Sequence, residues 1–227
     1  TNARFLLFVC AVLKAVDKYQ DLLRISVASA GNDHRLGANE APPAVVSAFL
    51  GDELTDILTS IETGSTYSGH EVEPIKVGVH VLPKFSRDTT DRNRTSPFAF
   101  TGNKFELRML GSAASVAEPC IVLNTIVADV LEEFASKLEN SSDIQETMHD
   151  IISDVMKNHK RIIFNGNGYD DSWEEVATKN RKLLNLKTTP DCLPYWITKN
   201  NVDLFVKHKV FTEGELRSRS EISLENY

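Results

Sequence analysis

The sequence predicts an α+β fold, in which a short strand-bearing region is followed by a mostly helical C-terminal region that begins near Ser115. Residues 75–85 and 103–110 alternate apolar side chains with others, as strands with one buried face do. From about Val116 onward, apolar residues recur at helical spacing. The chain has 227 residues, 41% hydrophobic and 25% charged, which is an ordinary globular composition.

The N-terminal part is predicted to form a long helix, a loop and a second helical stretch. Residues 2–25 carry apolar side chains near helical spacing, and the apolar run Phe5–Leu13 is too short to span a bilayer. Residues 26–43 are rich in Gly, Ala, Asn and Pro, a composition typical of a loop. Residues 44–62 return to helical periodicity, with a break expected near Gly51.

The C-terminal region is predicted to be helical throughout. Five helices are expected, over residues 118–139, 142–162, 170–184, 188–211 and 212–226. Ser142 and Gln145 have the spacing of a capping box at the start of the second of these helices. Trp173 and Trp196 lie among apolar residues at helical spacing, so we expect both in the core.

The overall charge and the cysteines exclude several classes of function. A net charge of -7 and a pI near 5.4 argue against a general nucleic-acid binder, which needs a basic face. Cys10, Cys120 and Cys192 are widely spaced and odd in number, so neither a zinc knuckle nor a disulfide framework is indicated. We expect Cys120 to be buried, no membrane association, and a cytoplasmic setting in which the thiols stay reduced.

One stretch concentrates cations in this acidic chain. Residues 89–108 place Arg92, Arg94, Lys104 and Arg108 around Glu106. Strand alternation puts Lys104, Glu106 and Arg108 on one face, with neighbours about 7 Å apart. Such a face is often just solvated surface. Alternatively, guanidinium groups bind carboxylates and phosphates, and a glutamate among them can bind a metal ion.

The loop before Pro42 suggests a ligand-binding role as well. Arg35 precedes Glu40 by five residues, inside a glycine- and alanine-rich loop. One cation and one acid among small residues is what a mobile lid over a site would use. The strings "HRLGANEAPPA", "DTTDRNRTSPFAFTGNKFELR" and "LNTIVAD" together resemble glutamine synthetase, specifically its large type III form. The resemblance covers essentially the whole chain.

The resemblance implies that the chain is the C-terminal portion of a longer enzyme, which fits a start at Thr1 inside a predicted helix. Residues 1–114 would be part of the catalytic domain, with its β-sheet and flanking helices, and residues 115–227 the helical C-terminal region of the type III enzyme. The implied reaction is the ATP-dependent ligation of ammonia to L-glutamate through γ-glutamyl phosphate, giving L-glutamine, ADP and phosphate.

The same resemblance implies roles for individual residues. Arg35, Arg94 and Arg108 would bind the substrate, Arg94 also acting in catalysis against the transferring phosphate. Glu40 would close the site and help to take a proton from ammonium. Lys104 would contact the ATP phosphates, and Glu106 would bind Mg²⁺ or Mn²⁺. The last two of these roles belong to the strand "KFELR".

One departure from the better known types concerns the nucleotide. There, a second arginine follows the position of Arg94 by five residues and contacts ATP, whereas this sequence has Ala99. The family also implies a homo-oligomer of stacked hexameric rings. Because further metal-binding glutamates would lie outside this chain, we expect the 227 residues alone to be inactive. A non-catalytic relative with an assembly or regulatory role, or another carboxylate–amine ligase, is the alternative.

Overall fold

The computed structural model describes residues 2–38, 41–67 and 96–227. Helices dominate these residues, and three short strands form one mixed sheet, so the predicted α+β class is confirmed. The predicted strand 75–85 lies outside the described residues, as do Glu40 and Arg94. The division of the chain near residue 115 stays a prediction.

The first predicted helix is two helices, α1 (Ala3–Lys18) and α2 (Gln20–Ile25). The Asn2 side chain caps α1 by accepting from the backbone N–H of Arg4 at 2.9 Å. The break falls at Tyr19, whose backbone leaves the helical region (φ -122°, ψ 36°). The hydroxyl of Tyr19 donates to Asp129 at 2.8 Å, a contact that no local pattern could indicate.

The region predicted as a loop contains a short helix, α3 (Ala30–Arg35), capped by Ser29. Residues 44–50 were expected to be helical, but they are not, because strand β1 (Ala48–Phe49) forms there. The predicted break at Gly51 is confirmed, since its φ of +81° favours glycine and helix α4 (Asp52–Thr63) begins directly after it. The strand depends on partners far away in sequence, which explains the error.

The sheet has the strand order β1-β2-β3, where β2 is Phe98–Phe100 and β3 is Phe105–Leu107. Strands β1 and β2 are parallel, and β2 and β3 form an antiparallel hairpin. The sequence predicted β3 within residues 103–110, but it gave no sign of β2. The residues that flank its "FAF" segment do not continue an alternation, whereas those that flank β3 do.

The remaining helices make up the C-terminal half. They are α5 (Ala117–Glu139), α6 (Ile144–His159), α7 (Asp171–Glu175), α8 (Thr189–Cys192), α9 (Lys199–Lys207) and α10 (Glu213–Glu225). A 3₁₀ turn, Lys160–Ile162, follows α6, and a π-helical turn, Val176–Asn180, follows α7. The helices predicted over 118–139, 142–162 and 212–226 are therefore confirmed, whereas the one predicted over 170–184 is limited to α7 and the π-helical turn.

Two predictions about these helices are wrong in detail. Asp143, not Ser142, caps α6, because its side chain accepts from the backbone N–H groups of Gln145 and Glu146. The helix predicted over 188–211 is divided into α8, a 3₁₀ helix (Leu193–Ile197) and α9. Pro194 lies at the start of that 3₁₀ helix and has no N–H to donate to a preceding carbonyl.

The core joins both halves of the chain, with α1 packed against α5 and α6. Trp173 and Trp196 are buried as predicted. All three cysteines are free, but Cys120 is exposed, so its predicted burial is wrong. Among the described residues, no helix has the length and apolar character needed to cross a membrane.

Candidate functional site

The charged row is the set of Lys104, Glu106 and Arg108, in which Glu106 lies on β3 and the other two directly flank that strand. The Nη2 atom of Arg108 is 3.3 Å from one carboxylate oxygen of Glu106, and the Nζ atom of Lys104 is 3.6 Å from the other. The alternation predicted from sequence is therefore observed. All three side chains are at least a quarter exposed.

The other face of the hairpin is aromatic. The rings of Phe98 and Phe105 stack with centroids 5.0 Å apart, and Phe100 lies 5.2 Å from Phe105. Phe100 in turn contacts Phe5 of α1 at 5.9 Å. This packing fixes β3 against the N-terminal helix, so the charged row is carried by a packed element and not by a free loop.

Ala99 pairs directly with Glu106 across the hairpin. Paired residues in an antiparallel ladder point to the same face, so the small side chain of Ala99 lies beside the carboxylate. Ala99 is completely buried. The space around the Ala99 side chain is therefore already filled.

Arg35 reaches the end of β3 from helix α3. Its Nη1 atom donates to the carbonyl oxygen of Met109 at 3.1 Å and to Oδ1 of Asn32 at 3.0 Å. Met109 directly follows Arg108. The structure therefore brings together the two segments that carry Arg35 and Arg108, as a shared substrate site would require, while the substrate-binding roles themselves stay predictions.

A cavity of about 410 Å³ opens where these two segments meet. Its lining includes Asn32 and Arg35 from α3, together with Gly111, Ser112 and Glu118. Burial raises the pKa of the Glu118 carboxyl, an effect that Arg219 opposes. The cavity thus presents one guanidinium and one partly desolvated carboxyl group, surrounded mainly by small residues.

Sequence reasoning missed Asn32. It is 3% exposed, and its amide bonds to the backbone of two separate segments as well as to Arg35. Its position three residues before Arg35 was the one available signal, and it became informative only once α3 was known to exist.

A second cluster of ionisable groups lies away from β3. Among the described residues, Asp129, Glu132 and His208 form the one group of three side chains placed closely enough to hold a metal ion. Lys207 already bridges it, however, with Nζ at 2.8 Å from Asp129 and 2.7 Å from Glu132. Because this ammonium supplies the positive charge that a metal would bring, we interpret the cluster as structural.

The same cluster joins three helices. Asp129 on α5 accepts hydrogen bonds from Lys18 and Tyr19 near the end of α1, and from Lys207 and His208 at the end of α9. Burial opposes ionisation of Asp129, but these hydrogen bonds outweigh it and hold the pKa of its carboxyl well below the usual range.

Comparison with known proteins shows what this sequence is similar to. Residues 147–227 match the glutamine synthetase C-terminal domain. Over its whole length the chain is 46% identical to a glutamine synthetase of Butyrivibrio fibrisolvens and 47% identical to a type-3 glutamine synthetase of Dictyostelium discoideum. It is 41% identical to a glutamine synthetase of Bacteroides fragilis.

The chain is similar over its whole length to these glutamine synthetases. It is covered completely in each comparison but spans about a third of the relatives, 32%, 31% and 32% of their respective lengths. The resemblance inferred from the motifs is therefore confirmed, including the similarity to a type-3 enzyme.

Proposed function

We propose that this chain supplies part of the active site of a glutamine synthetase, which ligates ammonia to L-glutamate and converts ATP to ADP and phosphate. The observation that carries the proposal onto these residues is the hydrogen bond from Arg35 to the carbonyl of Met109. It brings the Arg35 segment to the end of the charged row, where a dicarboxylate substrate and a phosphate would meet.

The charged row suits phosphoryl transfer to a carboxylate. Glutamate and the γ-phosphate of ATP are both anionic, so bringing them together requires fixed positive charge. Arg108 and Lys104 provide two such charges on a packed strand. Arg35 presents a further guanidinium, and both of its hydrogen bonds within the described residues use Nη1, which leaves its other edge to face the substrate.

Glu106 is the residue of this row that would hold a divalent metal ion, Mg²⁺ or Mn²⁺. It offers hard carboxylate oxygens, which Mg²⁺ prefers, and it lies between two cations that temper its charge. When bound, the ion would neutralise charge on the ATP phosphates. One carboxylate is too few for such an ion, so the remaining ligands would come from beyond the described residues.

Glu40 and Arg94 complete the proposed catalytic set. Glu40 would attract ammonium, act as its base and close the site, so that the acyl phosphate meets ammonia before water. Arg94 would lie against the phosphate during transfer. We further propose a cytoplasmic location, in keeping with three free cysteines, and a homo-oligomer of stacked hexameric rings.

The reaction itself is the test. A full-length protein that carries these residues should form glutamine from glutamate, ammonium, ATP and Mg²⁺, with one phosphate released for each glutamine. Arg108→Ala should abolish this, while Arg217→Ala on the exposed face of α10 should not. The 227 residues alone should show no turnover.

Three outcomes would contradict the proposal. A full-length protein that assembles but forms no glutamine would favour the non-catalytic alternative. Product formed with another amine but not with ammonium would favour a different carboxylate–amine ligase. Clear turnover by the 227 residues alone would show that the chain contains a complete site.

A further inference from the structure

The side chain of Asn32 makes hydrogen bonds through both its amide nitrogen and its amide oxygen. Its Nδ2 donates to the carbonyl oxygens of Val27 at 2.6 Å and of Met109 at 2.9 Å. Its Oδ1 accepts from Nη1 of Arg35 at 3.0 Å. The side chain is 3% exposed, so these bonds form away from competing water.

The backbone of Asn32 is also fixed. Its N–H donates to the Ser29 side chain at the start of α3, and its carbonyl accepts from Leu36 at the end of that helix. The residue therefore has little freedom to turn away. Because Met109 accepts from both Asn32 and Arg35, the amide and the guanidinium are held against one carbonyl.

We propose that Asn32 is a positioning residue that holds the guanidinium of Arg35 at the end of β3, so that Arg35 and Arg108 bind one substrate together. The inference rests on the proposed function. It assigns Asn32 no contact with the reacting atoms, and its effect passes through Arg35.

An amide is the group this position requires. Two carbonyl oxygens face Nδ2, so that atom must donate, whereas Arg35 faces Oδ1, which must accept. A carboxylate would place an oxygen against the two carbonyls, and alanine would leave both carbonyls and Arg35 short of one partner each. No other small side chain supplies two donors and one acceptor in this arrangement.

The first test is Asn32→Ala in the full-length protein. We expect the KM for glutamate to rise about tenfold, as the loss of a hydrogen bond to a charged group predicts. The kcat and the KM for ATP should change less than about threefold. A general loss of folded enzyme would lower kcat and leave both KM values alone, so this pattern separates positioning from stability.

Two further variants make the test sharper. Asn32→Asp keeps an acceptor for Arg35 but loses both backbone anchors, so the KM for glutamate should rise at least as much as in Asn32→Ala. Asn201→Ala is the matched control, because Asn201 is 2% exposed and its Nδ2 likewise makes two bonds, to Asp21 and Tyr195. It should destabilise the protein similarly without a selective change in the KM for glutamate.

Hydrogen exchange supplies a measurement that needs no turnover. If Asn32 joins the two segments, Asn32→Ala should accelerate amide exchange in residues 27–36 and 108–111 together. Faster exchange in one segment alone would overturn the proposal, as would an unchanged KM for glutamate in an active enzyme. A wild-type enzyme without glutamine synthesis would instead overturn the proposed function, and the exchange result would still judge the role of Asn32. Should Asn32→Ala fail to fold, Asn32→Asp decides by the same measurements.

Discussion

The guanidinium of Arg35 donates to the carbonyl oxygen of Met109 across 74 positions of sequence, at 3.1 Å. Arg35 ends a short helix, and Met109 lies two residues beyond the end of β3, the strand that carries Glu106. The bond therefore holds the C-terminal end of this helix close to the end of the strand. A substrate held by both Arg35 and Arg108 would therefore depend on contacts that neither segment makes by itself.

Replacing Glu106 with glutamine should remove most of the activity of the full-length enzyme. The substitution keeps the shape of the side chain but removes the charge that would hold the metal ion. We therefore expect kcat/KM to fall by about 100-fold or more. When activity is measured at increasing Mg²⁺, the variant should need a higher Mg²⁺ concentration than the wild type to reach half of its maximal activity.

The control for this variant is Glu213→Gln. Glu213 is an exposed carboxylate on α10 that pairs with Arg217 on the same helix. The Glu213→Gln variant should have the same activity as the wild type. Full activity in Glu106→Gln at ordinary Mg²⁺ would show that the charged row has no part in metal binding.

Arg35→Lys should weaken glutamate binding even though the charge is kept. A lysine ammonium lacks the planar fork that lets Nη1 bond to Asn32 and Met109 while the other edge faces a carboxylate. We expect the KM for glutamate to rise about tenfold. Calorimetric titration with glutamate in the presence of a non-hydrolysable ATP analogue checks this directly.

Arg217→Lys is the matched exchange on the surface, where the arginine pairs with Glu213. Equal glutamate affinity for the wild type and Arg35→Lys would mean that Arg35 serves the fold and not the substrate.

Asp129→Asn should destabilise the fold, and the loss should depend on pH. The pKa of this carboxyl is lower in the folded state than the ordinary value of about 3.9, so its contribution is present above about pH 4 and is lost as the pH falls toward the folded-state pKa. At pH 7 we expect the free energy of unfolding to drop by about 2 kcal/mol.

Urea unfolding of the purified chain, followed by the fluorescence of Trp173 and Trp196, measures this at pH 7 and at pH 3. The difference between wild type and Asp129→Asn should narrow at the lower pH. A constant difference at both values would show that ionisation of Asp129 is not its cause.

Phe205→Ala should cost about 3–5 kcal/mol of stability. Phe205 is completely buried and packs between Trp196, at 5.9 Å, and Phe211, at 5.3 Å. Removing the ring opens a cavity that these aromatic neighbours can fill only in part. Val206→Ala, at the next position but 49% exposed, should change stability by less than about 0.5 kcal/mol, and similar losses in both would contradict the assigned packing.

Much of the fold could be predicted from local patterns. The long helices α1, α5 and α6 repeat apolar residues over many turns, and β3 alternates over enough residues to be recognised. Strand β1 was mistaken for helix, and β2 was not predicted. Neither lies within an alternation that continues beyond the strand itself, as β3 does, and they form because residues elsewhere in the chain offer backbone partners.

The candidate site divides in the same way. The placement of Lys104, Glu106 and Arg108 on one face follows from the two-residue period of a strand, which is a local property. The importance of Asn32 could not be predicted, because a buried amide is recognised by the carbonyls around it. Those of Val27 and Met109 come from different parts of the chain.

The sequence by itself determined the α+β class, the similarity to glutamine synthetases and the charged row, since helical and strand periods and long motifs are carried by neighbouring residues. Only the tertiary structure decided the break at Tyr19, the pairing of Ala99 with Glu106 and the bond from Arg35 to Met109. Each of these depends on hydrogen bonds between groups that the folded chain alone brings within reach.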